Sequence, residues 1–371
     1  MKKSVFKITA ITLCLIMLAF VTGCNGKEIE IDMSSAASIA PVSSEPKSQF
    51  IINPLTGEET LDPAAKNNRP VAIMINNLKP TAQEVQTGLD QADIVYEAYA
   101  EGGITRLLAV FKDISKADTI GTIRSARYSY IDLAMGHDAI YIHAGINSSH
   151  ATPHVKETGI DNINLLGGKF NGMSFRESNG KALEHTLYTS GEKIVNGLKK
   201  LGWRTELKYN TENWQNFVTD DTEVTPTDKC DSVSVTMSSG YVSTFEFDSA
   251  TKTYKKFSGS STHKDYKSGK QLEFKNVLVL KTSVTALSSD GYIVKTGLDG
   301  GSGYYVTNGG YTNIKWSKGS TKNPIKITLE DGSVCPYNPG NTWVCLVNQK
   351  NSVTIKDNSP VSSTVSATVS K

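Results

Sequence analysis

Between Gly88 and Gly145 short apolar runs alternate with charged residues and glycines, and that rhythm restricts the chain to a sheet-centred fold. From Asp93 to Ala100 the side chains alternate. Asp93, Val95, Glu97 and Tyr99 fall on one face, and Ile94, Tyr96, Ala98 and Ala100 on the other. Gly102-Gly103 breaks the run. Thr105 to Phe111 follows, with Arg106, Leu108 and Val110 on one face, and the short spacing predicts a hairpin. Ile120–Ile123 reads as a further short strand, and Ala139–His143 as another. Ser125–Met135 reads as a helix, with Tyr128, Ile131 and Met135 spaced for one apolar stripe.

The rest of the chain fits around this block. Arg69–Met74 reads as a strand leading into Asn76-Asn77, and Ser148–Thr158 as a weaker helix. Lys181–Gly202 reads as a longer helix, with Thr189 and Glu192 at capping-box spacing. From about Asp228 strand-like runs recur between Gly, Ser, Asn and Asp, and no long helix is legible. The expected fold is α+β: an α/β-type N-terminal domain with a mixed sheet over 51–222, then a mostly β C-terminal domain over 223–356.

The N-terminus carries a different signal. Lys2, Lys3 and Lys7 precede an apolar run, Ile8–Val21, that is shorter than the ~20 residues needed to span a bilayer. Val21-Thr22-Gly23-Cys24 closes it and resembles the bacterial lipobox. The resemblance implies a signal peptide over 1–23 and a diacylglycerol anchor on Cys24. Residues 24–50 read as a Ser- and Pro-rich tether, and 357–371 as a patternless tail. The chain is then held at the outer face of the cytoplasmic membrane.

Thirty-nine basic residues against thirty-seven acidic ones leave a net charge of +2, which offers no basic footprint for nucleic acid. Cys230, Cys335 and Cys345 remain after the anchor. Cys335 and Cys345 flank a turn-rich segment and could be bonded across a hairpin, or all three thiols could be buried and reduced.

Five blocks, NRPVAIMINN, GLDQADIVYEAYAEGGITRLLAVF, IGTIRSARYSYIDLA, DAIYIHAG and HTLYTS, resemble the YerB-like bacterial lipoprotein family. The later segments THKDY, GKQLEFKNVLVL, GSGYYVTNGG and PGNTWVCLV are similar to its C-terminal domain. The resemblance spans roughly residues 50–350. It implies a two-domain lipoprotein of a Gram-positive-type bacterium, of unassigned activity. It also implies an Asp where this chain has Asn76, so chemistry that needed that acid is absent here.

Candidate chemistry centres on acids and arginines. Arg124 and Arg127 stand at the start of the expected helix, where two cations oppose the helix dipole unless an anion joins them. That anion is either a ligand, since N–H groups and guanidinium forks both bind phosphate and carboxylate, or the chain's own Glu97, Glu101 or Asp132. Glu97 and Glu101 on one strand face would lie ~13 Å apart, beyond the ~5–9.5 Å of paired glycosidase carboxylates. His150 and His154 have i,i+4 spacing but no zinc-protease motif accompanies them. No nucleophile elbow occurs, and the glycines near 300–310 follow no strand–helix switch. Tyr304, Tyr305, Tyr311 and Trp316 would form either an aromatic face for sugars or core.

Two readings follow. The first is a non-catalytic envelope protein that binds an anionic cell-wall ligand or an envelope protein through Glu97, Glu101, Arg106, Arg124 and Arg127. The second is a hydrolase of wall glycan or a phosphodiester, with Glu101 or Asp132 as acid/base. Neither needs a cofactor or metal.

Overall fold

The computed structural model describes residues 49–209, 213–219 and 222–357. The signal segment, Cys24, nearly all of the tether and the tail beyond Asp357 lie outside the described residues. Among those described, no helix is long and apolar enough to cross a membrane.

The N-terminal half supplies β1 (Val71–Asn76), β2 (Ile94–Glu101), β3 (Ile104–Phe111), β4 (Thr119–Gly121), α1 (Tyr128–Met135), β5 (Ile140–His143), α2 (Ala151–Thr158), β6 (Asn162–Asn164), β7 (Leu187–Ser190) and α3 (Gly191–Leu201). The C-terminal half is mostly strand. It supplies β8 (Ser232–Ser238), β9 (Tyr241–Asp248), β10 (Thr253–Ser258), β11 (Asn276–Thr282), β12 (Gly301–Thr307), β13 (Gly310–Ser317), β14 (Thr342–Asn348) and β15 (Val353–Lys356).

Strands of both halves share one eleven-stranded mixed sheet, whose central order is β13-β12-β11-β14-β2-β3-β1-β5-β6. The join is β14, which lies parallel to β2 with Thr342 opposite Ile94 and Cys345 opposite Glu97. The texture change near residue 223 therefore falls within a continuous hydrogen-bonded sheet. A second sheet, containing β8, β9, β10 and β15, packs on one face of the large one.

Both faces of the large sheet are covered, so its central strands bury side chains on both sides. Every residue of β2 is buried. Val95 and Tyr99 face the layer that holds Val233, Phe245 and Trp343. Tyr96 and Ala98 face α1 and Trp214.

Two expected helices start later in the structure. The 123–126 segment is extended, because β1 and the chain just after β5 capture its backbone: Asn76 N–H donates to Thr122 O at 2.8 Å, Arg124 N–H to Met74 O at 3.0 Å, and Ala126 N–H to Gly145 O at 2.9 Å. Helix α1 begins only at Tyr128, with Arg127 as an extended N-cap. Arg124 is therefore not on the helix. Residues 181–190 are not α-helical either; they hold only a single 3-10 turn at Leu183–His185. Thr189 lies in β7, with its hydroxyl on Met173 O, and Ser190 caps α3 by accepting from Lys193 N–H at 3.3 Å.

The Cys335–Cys345 pairing is not formed. Cys335 packs with the α1-side core, Cys345 with the core on the opposite sheet face, and both are free thiols, as is Cys230. A sheet between two sulfurs prevents their meeting. The aromatic face also dissolves, since Tyr305 and Trp316 are buried in the core.

Candidate functional site

A register shift in the β2–β3 hairpin creates the site. Tyr99 pairs with Thr105, but Glu101 pairs with Ile104. The irregularity moves Glu101 off the face that Glu97 shares with Tyr99 and onto the Arg106 side. The two glutamates, expected together, end in different environments.

Glu101 is 3% exposed and uses one oxygen, Oε1, for two guanidiniums. Arg106 Nη2 donates to it at 2.7 Å, and Arg127 Nη2 also donates to it. Arg106 further donates to Ser125 O and Arg127 to Ala126 O, so the extended 124–127 segment is clamped against the hairpin. Arg127 Nε is buried and makes no hydrogen bond among the described residues. Burial first, and then the neighbouring Arg127, lower the Arg106 pKa to about 10 against the pull of Glu101.

Arg124 belongs to a looser pair. Its Nη2 lies 3.2 Å from Glu184 Oε2, and the Glu184 side chain is 49% exposed. Glu184 sits on a single 3-10 turn, Leu183–His185, and its other oxygen lies 3.3 Å from His185 Nε2. Asn76 Nδ2 lies 2.8 Å from His185 Nδ1, while Asn76 Oδ1 accepts from Leu78 N–H. With the amide so oriented, His185 Nδ1 accepts and its Nε2 carries the proton. Burial lowers the His185 pKa despite Glu184 beside it, so the ring stays neutral at pH 7.

Glu101, Arg106, Arg124, Arg127, Glu184 and Asn76 line one cavity of about 360 Å³, with Ile104 and Tyr292 also in its wall. Three guanidiniums meet two carboxylates there, a formal excess of one positive charge. A second cavity of about 450 Å³ adjoins it and shares Arg124, Ser125 and Glu184.

Two expected site residues stay out of this cavity. Glu97 is buried at the layer between the two sheets. It accepts from Ser243 Oγ at 2.6 Å, Thr105 Oγ1 at 3.1 Å and Trp343 Nε1 at 3.3 Å. Asp132 accepts from His154 Nε2 at 2.7 Å, under a Tyr128 ring stacked on the imidazole at 3.8 Å. Burial opposes protonation of His154, but the Asp132 and Glu157 carboxylates raise its pKa on balance. Among the described residues no group of three or more His, Cys, Asp or Glu side chains is placed to hold a metal ion. Sequence reasoning missed Glu184. Its role comes from a one-turn helix whose position depends on β7 and Asn76, and no motif marks it.

Residues 55–204 match the N-terminal domain, and residues 233–344 the C-terminal domain, of the family described as "Protein of unknown function (DUF3048)". The chain belongs to the DUF3048 family. Both DUF3048 segments lie within the shared sheet and its flanking layers, and the cavity lies in the N-terminal one. A DUF3048 relative in Bacillus subtilis (strain 168), named "Putative lipoprotein YerB", is 30% identical over 297 residues, covering 79% of this chain and 85% of the relative. The crystal structure of YerB protein from Bacillus subtilis superposes with a TM-score of 0.69 at 28% identity, covering 82% of this chain and 99% of that one.

Proposed function

We propose that this protein is a membrane-anchored, extracytoplasmic lipoprotein that binds an anionic ligand of the cell envelope at Arg106, Arg124 and Arg127, with Glu101 as the fixed counter-ion of Arg106 and Arg127. The observation that carries the reading is the charge balance of the cavity. Three guanidiniums share two carboxylates, and Arg127 Nε has no partner among the described residues. Guanidinium forks of this kind take carboxylate or phosphate oxygens. The relative named as a lipoprotein and the Val21–Cys24 segment support the anchor. Glu97 contributes by holding the sheets together rather than by touching the ligand.

The hydrolase reading has less support. Glu101 is engaged by two arginines and Asp132 by His154, and Asp132 does not line the cavity.

Calorimetric titration of the full chain with inorganic phosphate at low salt tests the binding. The expected result is binding that weakens with salt and is lost in Arg124→Gln/Arg127→Gln. Equal binding by that variant would overturn the assignment. Cys24→Ala should leave the membrane fraction or remain unprocessed, and unchanged fractionation would overturn the anchor.

A further inference from the structure

Part of the exposed apolar surface gathers around the two cavities. Seven large hydrophobic residues are exposed among those described, and Leu166, Leu183 and Tyr292 all line the two adjoining cavities. Leu166 is 57% and Leu183 68% exposed. Soluble surfaces bearing grouped exposed apolar side chains near fixed charge are commonly binding sites. Ile123, Leu166, Leu183 and Leu187 line the second cavity, together with Gly145 and the guanidinium-bearing Arg176, whose Nη1 donates to Leu183 O at 2.6 Å. At Gly145 φ is +85°, and a Cβ would come within 3.1 Å of Ser125 Oγ, so a side chain there is both strained and crowded.

Arg124, Ser125 and Glu184 line both cavities, so an aliphatic trough opens directly onto the arginine cluster. Each volume lies within the ~300–1,000 Å³ of small-molecule sites. At the junction the ion-pair partner of Arg124 among the described residues is Glu184, a half-exposed side chain on a single 3-10 turn, whereas Arg106 and Arg127 are held by buried Glu101. The carboxylate of Glu184 already occupies the place an incoming oxyanion would take on Arg124.

Resting on the anion-binding reading above, we infer that the two cavities form one site for an oxyanion carrying an unbranched or lightly branched alkyl chain. The head group displaces Glu184 from Arg124, and the chain lies between Leu166 and Leu183. The shared chemistry is an alkyl chain ending in a carboxylate or a phosphate monoester.

The test is a titration of the full chain followed by the methyl NMR signals of Leu166 and Leu183. The probes are acetate, butyrate, hexanoate, octanoate, hexyl phosphate and hexanol. Affinity should rise roughly two- to fourfold for each methylene added beyond butyrate, and both leucines should shift. Hexanol, lacking the charge, should bind far more weakly. The ratio of hexanoate to hexyl phosphate affinity identifies the head group. Glu184→Gln should tighten hexanoate several-fold by removing the internal competitor. Leu166→Ser/Leu183→Ser should flatten the chain-length series while leaving inorganic phosphate binding intact. If acetate or phosphate binds but added methylenes bring no gain, the alkyl site is overturned and the anion site stands. If no probe binds, both fail. Weaker hexanoate binding by Glu184→Gln would overturn the displacement.

Discussion

Ser243 Oγ donates to Glu97 Oε2 at 2.6 Å and so ties β9 of the second sheet to the middle of β2 in the first. Lys256 Nζ donates to the same Ser243 Oγ at 3.1 Å, beneath the Phe245 and Trp343 rings. A buried acid and a buried base thus share one hydroxyl between the layers. Burial lowers the Lys256 pKa to about 8, with Glu97 pulling it back up. Glu97→Gln should cost about 3–5 kcal/mol of stability, since it leaves a buried cation without its carboxylate. Urea unfolding checks this. Adding Lys256→Met should recover part of the loss, because the orphaned charge is gone. A strictly additive pair would show that the two side chains are not coupled.

The two arginine pairs should behave differently. Glu101→Gln removes the shared partner of two guanidiniums in a buried setting, so about 3–5 kcal/mol should be lost and melting should fall by many degrees. Arg124→Gln breaks only a pair with half-exposed Glu184, and stability should change by less than about 1 kcal/mol. Thermal melts of the two variants side by side decide it. Equal losses would contradict the division into a fixed and an exchangeable pair.

Stability should fall as the solution is acidified from pH 7.5 to 6.0. Burial pushes His137 down to about 3 and His263 well below its ordinary value. The unfolded chain takes up protons near ~6.5 while these folded rings do not, so the unfolded state binds more protons and gains as pH drops. His154 opposes this, because its folded pKa is raised: its contribution is full below ~6.5 and fades as pH rises through the folded value. The net loss should be about 1–2 kcal/mol by urea unfolding at the two pH values. Stability that is flat or rising on acidification would contradict the buried neutral histidines.

Burial raises the Cys230 and Cys335 thiols to about 12 and Cys345 well above its usual range. None should react with a thiol reagent in the native protein at pH 8. In guanidinium without reductant, all three should alkylate, as checked by peptide mass mapping. Protection of Cys335 and Cys345 that is lifted only by reductant would reveal a bond between them.

Local order was legible wherever the backbone follows local rules. The β2–β3 hairpin reads from alternation broken by Gly102-Gly103, and α3 ends at Gly202 in the left-handed conformation that glycine favours. The acid–arginine cluster was legible as composition, because its residues fall within 97–127. Partnership was not. A one-residue irregularity near Tyr99 reverses the face of Glu101, and periodicity assumes a strand without one. The helix expected from Ser125 was overridden by hydrogen bonds to β1 and to Ala144 and Gly145, which no local propensity records.

The sequence by itself determined the charged hairpin, the strand-rich second half and the lipobox-like start, because each depends on neighbours within a few residues. Only the tertiary structure decided that β14 would run beside β2, placing Cys345 opposite Glu97 and giving Glu97 a partner in Trp343. It also decided that Glu184 would reach Arg124, some sixty residues away. Such contacts depend on sheet order and on which face a side chain takes. Those are settled when burial is optimised over the whole chain at once, and no short window of residues contains that information.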